Sequence, residues 1–269
     1  MRIAIIGGGN MGTTYARAFV RSNIAKKEDL LIVEKHEDKR EELKKEELCV
    51  LSSTIPSDFS TYTIIILAVK PQDFKALVPE LKKHITKNHI VISIMAGIKI
   101  SSIEHSLDHK NVVRAMPNTP AQLGFGITAF TVNTATDMEL VSVADTLFET
   151  TGKAVFMKDE ELLDAVTALS GSGPAYFFYF VKYMVEAGKE MGMEEHVSSM
   201  LVKQTMLGAF QILNNSKYSL DQMIQSVASK GGTTEAALKQ FEQHSIGANI
   251  KTAIKAAEKR AKELSKESA

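Results

Sequence analysis

Apolar positions in the first part of the chain fall into short runs of strand length. Ile and Val dominate Arg2 to Gly7, Leu30 to Glu34, Thr63 to Val69, His89 to Ala96 and Asn111 to Met116. Near-continuous apolar runs of this kind suit strands covered on both faces, as in a parallel sheet. Helix-like segments separate them at Met11 to Arg21, Glu37 to Glu47, Gln72 to His84 and Ser101 to Leu107. The β-α-β rhythm predicts a doubly wound, mostly parallel sheet. Phe125 to Val132 and Lys153 to Met157 are expected as closing strands, with Asp137 to Glu149 as the helix between them.

After Met157 the strand runs stop. Leu162 to Leu169, Ala175 to Met191, Val197 to Leu213, Leu220 to Val227 and Glu235 to Gln243 carry apolar residues at helical spacing. The expected organisation is therefore an α/β domain over residues 1–157 and an all-α domain over residues 158–269. Ile250 to Lys266 is rich in Ala, Lys and Glu, with Glu258 four residues before Lys262, and is expected as a solvated terminal helix. No internal repeat is visible.

Charge narrows the function classes. Lys and Arg total 32 against 32 Asp and Glu, which leaves no electrostatic footprint for nucleic acid or an anionic membrane. No apolar run approaches the roughly 18 residues of a membrane span, and three glycines break the apolar start too soon for a secretory leader. The single cysteine, Cys49, excludes an intrachain disulfide and is expected as a small core residue. A reducing cytoplasm fits this usage.

The strongest chemical signal is Gly7-Gly8-Gly9-Asn10-Met11-Gly12, a G-x-G-x-x-G turn that follows a strand and opens a helix. In a Rossmann-type module the first glycine permits the tight turn, the second lets backbone approach a pyrophosphate, and the third lets helix pack on strand. Ile6 to Gly12 are thus candidate contacts for a nicotinamide dinucleotide. Glu34, 22 positions beyond Gly12, stands where a carboxylate reads the adenosine ribose of NAD. Lys35, Lys39 and Arg40 follow at once and could instead neutralise the 2'-phosphate of NADP; a carboxylate beside a phosphate is costly, so Glu34 tilts the choice to NADH, while a rotamer turned away would leave NADPH open. Strand ends supply the remaining cofactor candidates: Ala68, Val69, Lys70 and Pro71, Met95 and Ala96 within Ser93 to Gly97, and Asn118 within the two-proline loop Arg114 to Pro120.

Ser229-Lys230-Gly231-Gly232-Thr233-Thr234 precedes a helix expected near Glu235. Backbone N–H groups and hydroxyls converging there suit a small carboxylate, while a plain N-cap by Thr233 or Thr234 is the simpler alternative. Gly171 to Pro174 is expected to end one helix and start the next at Pro174. Gly171-Ser172-Gly173 lacks the G-x-S-x-G pattern of a hydrolase elbow. His105 and His109 have helical spacing but no further ligand, and are expected as a surface pair with no metal. Phe177, Phe178, Met184 and Met191 are expected in a core or subunit interface.

Taken together, these motifs make the sequence resemble the pyrroline-5-carboxylate reductase family. The likeness spans the glycine turn, Ala68 to Pro71, Arg114 to Ala121, Asp164 to Tyr176 and Ser229 to Leu238. It implies reduction of the cyclic imine 1-pyrroline-5-carboxylate to L-proline with NADPH or NADH, in an enzyme that dimerises through its helical domain and assembles further in some members. It also implies that Thr167 lies near the imine nitrogen, as hydrogen-bond donor or proton relay, and that Glu160 lies near the substrate. Ser229, Gly231, Gly232, Thr233 and Thr234 would meet the substrate. Lys230 stands where the family usually has proline, which implies altered substrate affinity. Two rival readings are a related imine or hydroxy-acid oxidoreductase and a non-catalytic dinucleotide-binding regulator, and the intact Asp164 to Tyr176 and Ser229 to Leu238 segments speak against both.

Overall fold

The computed structural model describes residues 1–133 and 137–267. It forms two compact units, Met1–Ser172 with Ala257–Ala269, and Gly173–Ala256. The last strand of the first unit ends at Phe156, next to the expected domain boundary, but the unit itself runs on to Ser172 and takes in the end of the terminal helix.

An eight-stranded sheet organises the first unit. Its strands are β1 (Ile3–Ile6), β2 (Leu30–Val33), β3 (Val50–Ser52), β4 (Ile64–Leu67), β5 (Ile90–Ser93), β6 (Val112–Met116), β7 (Gly126–Val132) and β8 (Gly152–Phe156), in the order β3-β2-β1-β4-β5-β6-β7-β8. Every residue of β1, β2 and β4 is buried, as continuous apolar strands under two helical layers must be. All pairings are parallel except β6 with β7. A short 3-10 turn, Thr119–Leu123, joins that pair. It is too short for a parallel crossover.

Five helices accompany the sheet: α1 (Asn10–Arg21), α2 (Glu37–Lys44), α3 (Pro71–His84), α4 (Ile100–Leu107) and α5 (Met138–Glu149). After β8 come α6 (Leu162–Val166), a π-helical turn at Thr167–Gly171, α7 (Gly173–Glu190), α8 (Glu195–Asn215), α9 (Leu220–Val227), α10 (Thr233–Gln243) and α11 (Ile246–Glu267). The sheet order reverses at β1, which has β2 on one side and β4 on the other. Such a switch point, at the carboxyl ends of the strands, is where open α/β sheets bind ligands.

Two expectations need correction. The end of α11 is not a solvated helix, because Ala261 and Ser265 are buried and Ser265 Oγ donates to Asp164 Oδ1 at 3.1 Å. Small residues four apart make a narrow packing stripe among charged neighbours, and that stripe carries no apolar signal. His109 is not at the surface either. Asp108 ends α4 in the left-handed conformation, so His109 leaves the helical track of exposed His105, is buried, and bonds His89 O through Nε2 at 2.8 Å.

His89 is itself buried, with Nδ1 accepting from Thr86 N and its ring edge-on to Phe59. Burial, with His109 adding repulsion, pushes His89 below the usual histidine range. The unfolded chain takes up a proton near pH 6.5 while folded His89 stays neutral, so its contribution is full above that pH and is lost as pH falls. The thermal midpoint should drop between pH 7 and 5.5, and His89→Gln should flatten the drop. An unchanged slope in that variant would assign the acid sensitivity to other groups.

The second unit has almost no core of its own. Only Gly173, Gly188 and Ser198 are buried among its described residues. The α7–α8 hairpin closes tightly where a Cβ at Gly188 would collide with Ser198 Oγ. Phe177, Phe178, Met200 and Phe210 are all more than half exposed. Exposed apolar area on this scale marks an interaction surface.

Candidate functional site

At the end of β1, the glycines divide into two kinds. Gly7 has φ +110°, and an added Cβ would stand 2.7 Å from Ala68 O. A Cβ at Gly12 would run into Gly7 O, so this glycine lets α1 press onto the sheet. At Gly9 a Cβ would meet nothing within 4 Å. Two positions are thus required by the fold, while the third keeps an open face at the mouth of α1. Gly9 is the N-cap of that helix, no side chain caps it, and its first turn holds no acidic residue. Free N–H groups and open space beside them fit the pyrophosphate of a dinucleotide.

A cleft of about 460 Å³ opens at this point. Ile6, Gly7, Gly9, Glu34, Lys35, Ala68, Val69 and Lys70 all line it, so the structure brings these candidates together in one cleft. Gly8, Asn10, Met11 and Gly12 form the adjoining turn and first helical turn, and Pro71 opens α3. His36, Asp73 and Glu80 line the same cleft and were not anticipated. Met95, Ala96 and Asn118 are not among the lining residues. Met95 is buried beyond β5. The Asn118 amide accepts from Ile127 N at 3.0 Å and donates to Ser170 O at 3.2 Å, joining the 3-10 turn, β7 and the π-helical turn.

Glu34 is buried, and backbone donors hold both of its oxygens: Gly8 N to Oε2 and His36 N to Oε1, each at 2.9 Å. The carboxylate therefore keeps one direction. Arg40 folds back to donate to Glu34 O and Lys35 O, and Lys35 pairs with Asp73 at 3.5 Å. Cys49 is half-buried, with its thiol pushed up to about 12 by desolvation. A thiol so rarely ionised is no nucleophile.

Thr167 opens the π-helical turn, a geometry that recurs at functional positions. Its Oγ1 donates to Leu163 O at 2.8 Å. With the proton so placed, the oxygen has lone pairs left as an acceptor, whereas the resemblance implies a donor or proton relay. Nearby, Glu160 Oε1 accepts from Arg114 Nη1 at 3.0 Å and from Ile100 N at 2.8 Å, while Arg114 Nη2 reaches Asp164 Oδ1 at 3.0 Å. The Arg114–Asp164 pair was not foreseen. Its signal was an arginine inside the apolar run Val112–Met116, with two carboxylates four residues apart downstream.

In the second unit, Ser229 to Gly232 form the turn before α10. Gly232 is the N-cap, so neither Thr233 nor Thr234 caps the helix and both lie in its first turn. Gly231 has φ +74° and its N–H donates to Glu235 Oε2 at 2.7 Å. Gly232 N donates to Ser229 O at 3.0 Å, and a Cβ at Gly232 would stand 2.5 Å from Ser229 Oγ. The positive φ makes Gly231 the glycine this turn needs, whereas at Gly232 rotation of the Ser229 hydroxyl would relieve the closest contact. Lys230 is exposed within it.

Residues 2–97 match the family described as NADP oxidoreductase, coenzyme F420-dependent, and residues 160–264 match pyrroline-5-carboxylate reductase dimerisation. Pyrroline-5-carboxylate reductase 2 of Bacillus subtilis is 35% identical over 96% of this chain and 94% of its own length. The chain belongs to the pyrroline-5-carboxylate reductase family. Among solved pyrroline-5-carboxylate reductases, that of Coxiella burnetii superposes with a TM-score of 0.86 at 32% identity, covering 98% of both chains. The Plasmodium falciparum enzyme, solved with NADP bound, gives 0.86 at 26% identity over the same shares. Pyrroline-5-carboxylate reductases thus share this pairing of a sheet unit with a helical one.

Proposed function

We propose that this chain reduces 1-pyrroline-5-carboxylate to L-proline with NADH or NADPH, the final step of proline synthesis. The observation that carries the proposal is the open face at Gly9, flanked by two glycines the fold demands, in a chain of this family. Ile6 to Gly12, Glu34, Lys35 and Ala68 to Pro71 are assigned to the dinucleotide, with Met95, Ala96 and Asn118 as supports of the neighbouring loops. When bound, the reduced nicotinamide supplies the hydride.

Reduction places hydride on the imine carbon and the C=N electron pair on nitrogen, so the nitrogen must carry or receive a proton to leave as an amine, and a protonated imine is the more ready hydride acceptor. Thr167 suits that requirement. Its proton is already donated to Leu163 O, and the oxygen accepts the N–H that only the protonated imine carries. The N-terminus of α10, with Ser229, Gly231, Gly232, Thr233 and Thr234, is assigned to the substrate carboxylate, which would take the Gly231 N–H from the first-turn carboxylate of Glu235. Glu160 contributes through the Arg114 network that fixes α6.

A helical unit that buries three small residues is completed by a second copy of the chain, as its match to a dimerisation family supports. The active species is a homodimer or a larger assembly of dimers. No helix among the described residues is long and apolar enough to cross a membrane, and we assign the protein to the cytoplasm on its single cysteine.

Oxidation of NADH and NADPH, followed with 1-pyrroline-5-carboxylate, tests the activity. Thr167→Val should lower kcat/KM by about 10- to 100-fold, the worth of a hydrogen bond to a charged group, while Thr167→Ser should retain most of it. Dinucleotide binding without turnover would favour the regulator instead.

A further inference from the structure

We infer that this chain selects NADH over NADPH, and that the buried, backbone-held carboxylate of Glu34 is the selecting group. The inference rests on the dinucleotide site assigned above. An acidic residue at the end of β2 has two possible behaviours. A mobile one turns aside and lets neighbouring cations take a 2'-phosphate, whereas a fixed one meets the ribose with its charge in place.

The structure favours the fixed one. Glu34 is 5% exposed and takes the N–H groups of Gly8 and His36 on its two oxygens. Turning it aside would break two charge-assisted hydrogen bonds and leave two backbone donors without acceptors. The contact with Gly8 also couples the carboxylate to the glycine turn itself. A rotamer that cleared space for a phosphate would loosen the pyrophosphate cradle. Each carboxylate oxygen retains a further acceptor position, which suits the two ribose hydroxyls of NADH.

The nearby cations do not offset this. The Arg40 guanidinium donates to the carbonyls of Glu34 and Lys35 and is absent from the cleft lining. Lys35 is paired with Asp73. Within the cleft, the carboxylates of Glu34, Asp73 and Glu80 balance the ammonium groups of Lys35, Lys39 and Lys70. Among the lining side chains, a dianionic phosphate therefore meets no excess of cations.

Calorimetric titration of the full-length protein with NAD+ and NADP+, without substrate, tests the inference independently of turnover. The wild type should bind NAD+ more than about tenfold tighter, since a like charge set beside the phosphate is strongly unfavourable. Glu34→Ser should narrow that ratio by tightening NADP+, and Glu34→Gln, which keeps one acceptor for the loop, should do the same with less effect on the thermal midpoint. A purely structural role would weaken both dinucleotides alike and leave the ratio unchanged, which would overturn the inference. So would equal or tighter NADP+ binding by the wild type. Binding of neither dinucleotide would instead overturn the site assignment, and the inference with it.

Discussion

Arg114→Ala should destabilise the protein by about 3–5 kcal/mol, the range for breaking a buried ion pair by removing one partner. The guanidinium is almost wholly buried, from the middle of β6, and bonds Asp164 and Glu160, each at 3.0 Å. Asp164 is 1% exposed and also accepts from Ser265 Oγ, while Glu160 accepts from the first N–H of α4. One cation thus gathers β6, α4, α6 and the end of α11. Deleting it leaves the buried Asp164 carboxylate bonded to the Ser265 hydroxyl, with Lys99 and Lys262 acting on it only from a distance. Urea unfolding measures the loss, and the double variant Arg114→Met with Asp164→Leu should recover most of it, because the cost lies in the stranded charge. A single variant as stable as the wild type would mean that the network does not hold these elements. Thr167 lies one helical turn beyond Asp164, so kcat should fall in Arg114→Ala even where the protein still folds.

That network also shows where sequence reasoning stops. The parallel strands were legible because burial on both faces forces unbroken Ile and Val, and the glycine turn was legible because its spacing and its place between a strand and a helix are local features. β3 was missed because it has three residues at the sheet edge, with Val50 44% exposed. The reversal between β6 and β7 was not read because apolar period does not encode strand direction. Glu34 was found by its spacing, but its orientation depends on Gly8, 26 residues away. Arg114, Ser265 and His109 are buried polar residues whose partners lie far along the chain. Local pattern carries no information on such pairs.

Gly9→Ala and Gly12→Ala should fail in opposite ways, and the contrast separates what the fold needs from what the ligand needs. At Gly12 the new methyl would drive into Gly7 O, with Ile5 Cγ2 3.2 Å and Ala68 Cβ 3.3 Å away, so α1 must shift from the sheet. Overpacking of this kind costs about 3 kcal/mol, and the thermal midpoint should fall before any ligand is added. At Gly9, φ is −73° and ψ −177°, a conformation alanine adopts freely, and the methyl meets nothing within 4 Å. Stability should change by less than about 1 kcal/mol, because the lower entropy of the unfolded chain offsets the poorer N-cap that alanine makes at this position. Dinucleotide affinity should nonetheless drop more than about tenfold, since that glycine is the one that admits the pyrophosphate to the backbone. Calorimetry with NAD+, read beside a melting curve, distinguishes the two losses. Wild-type affinity in Gly9→Ala would show that the pyrophosphate does not cross this position, and would move the cofactor away from the open mouth of α1.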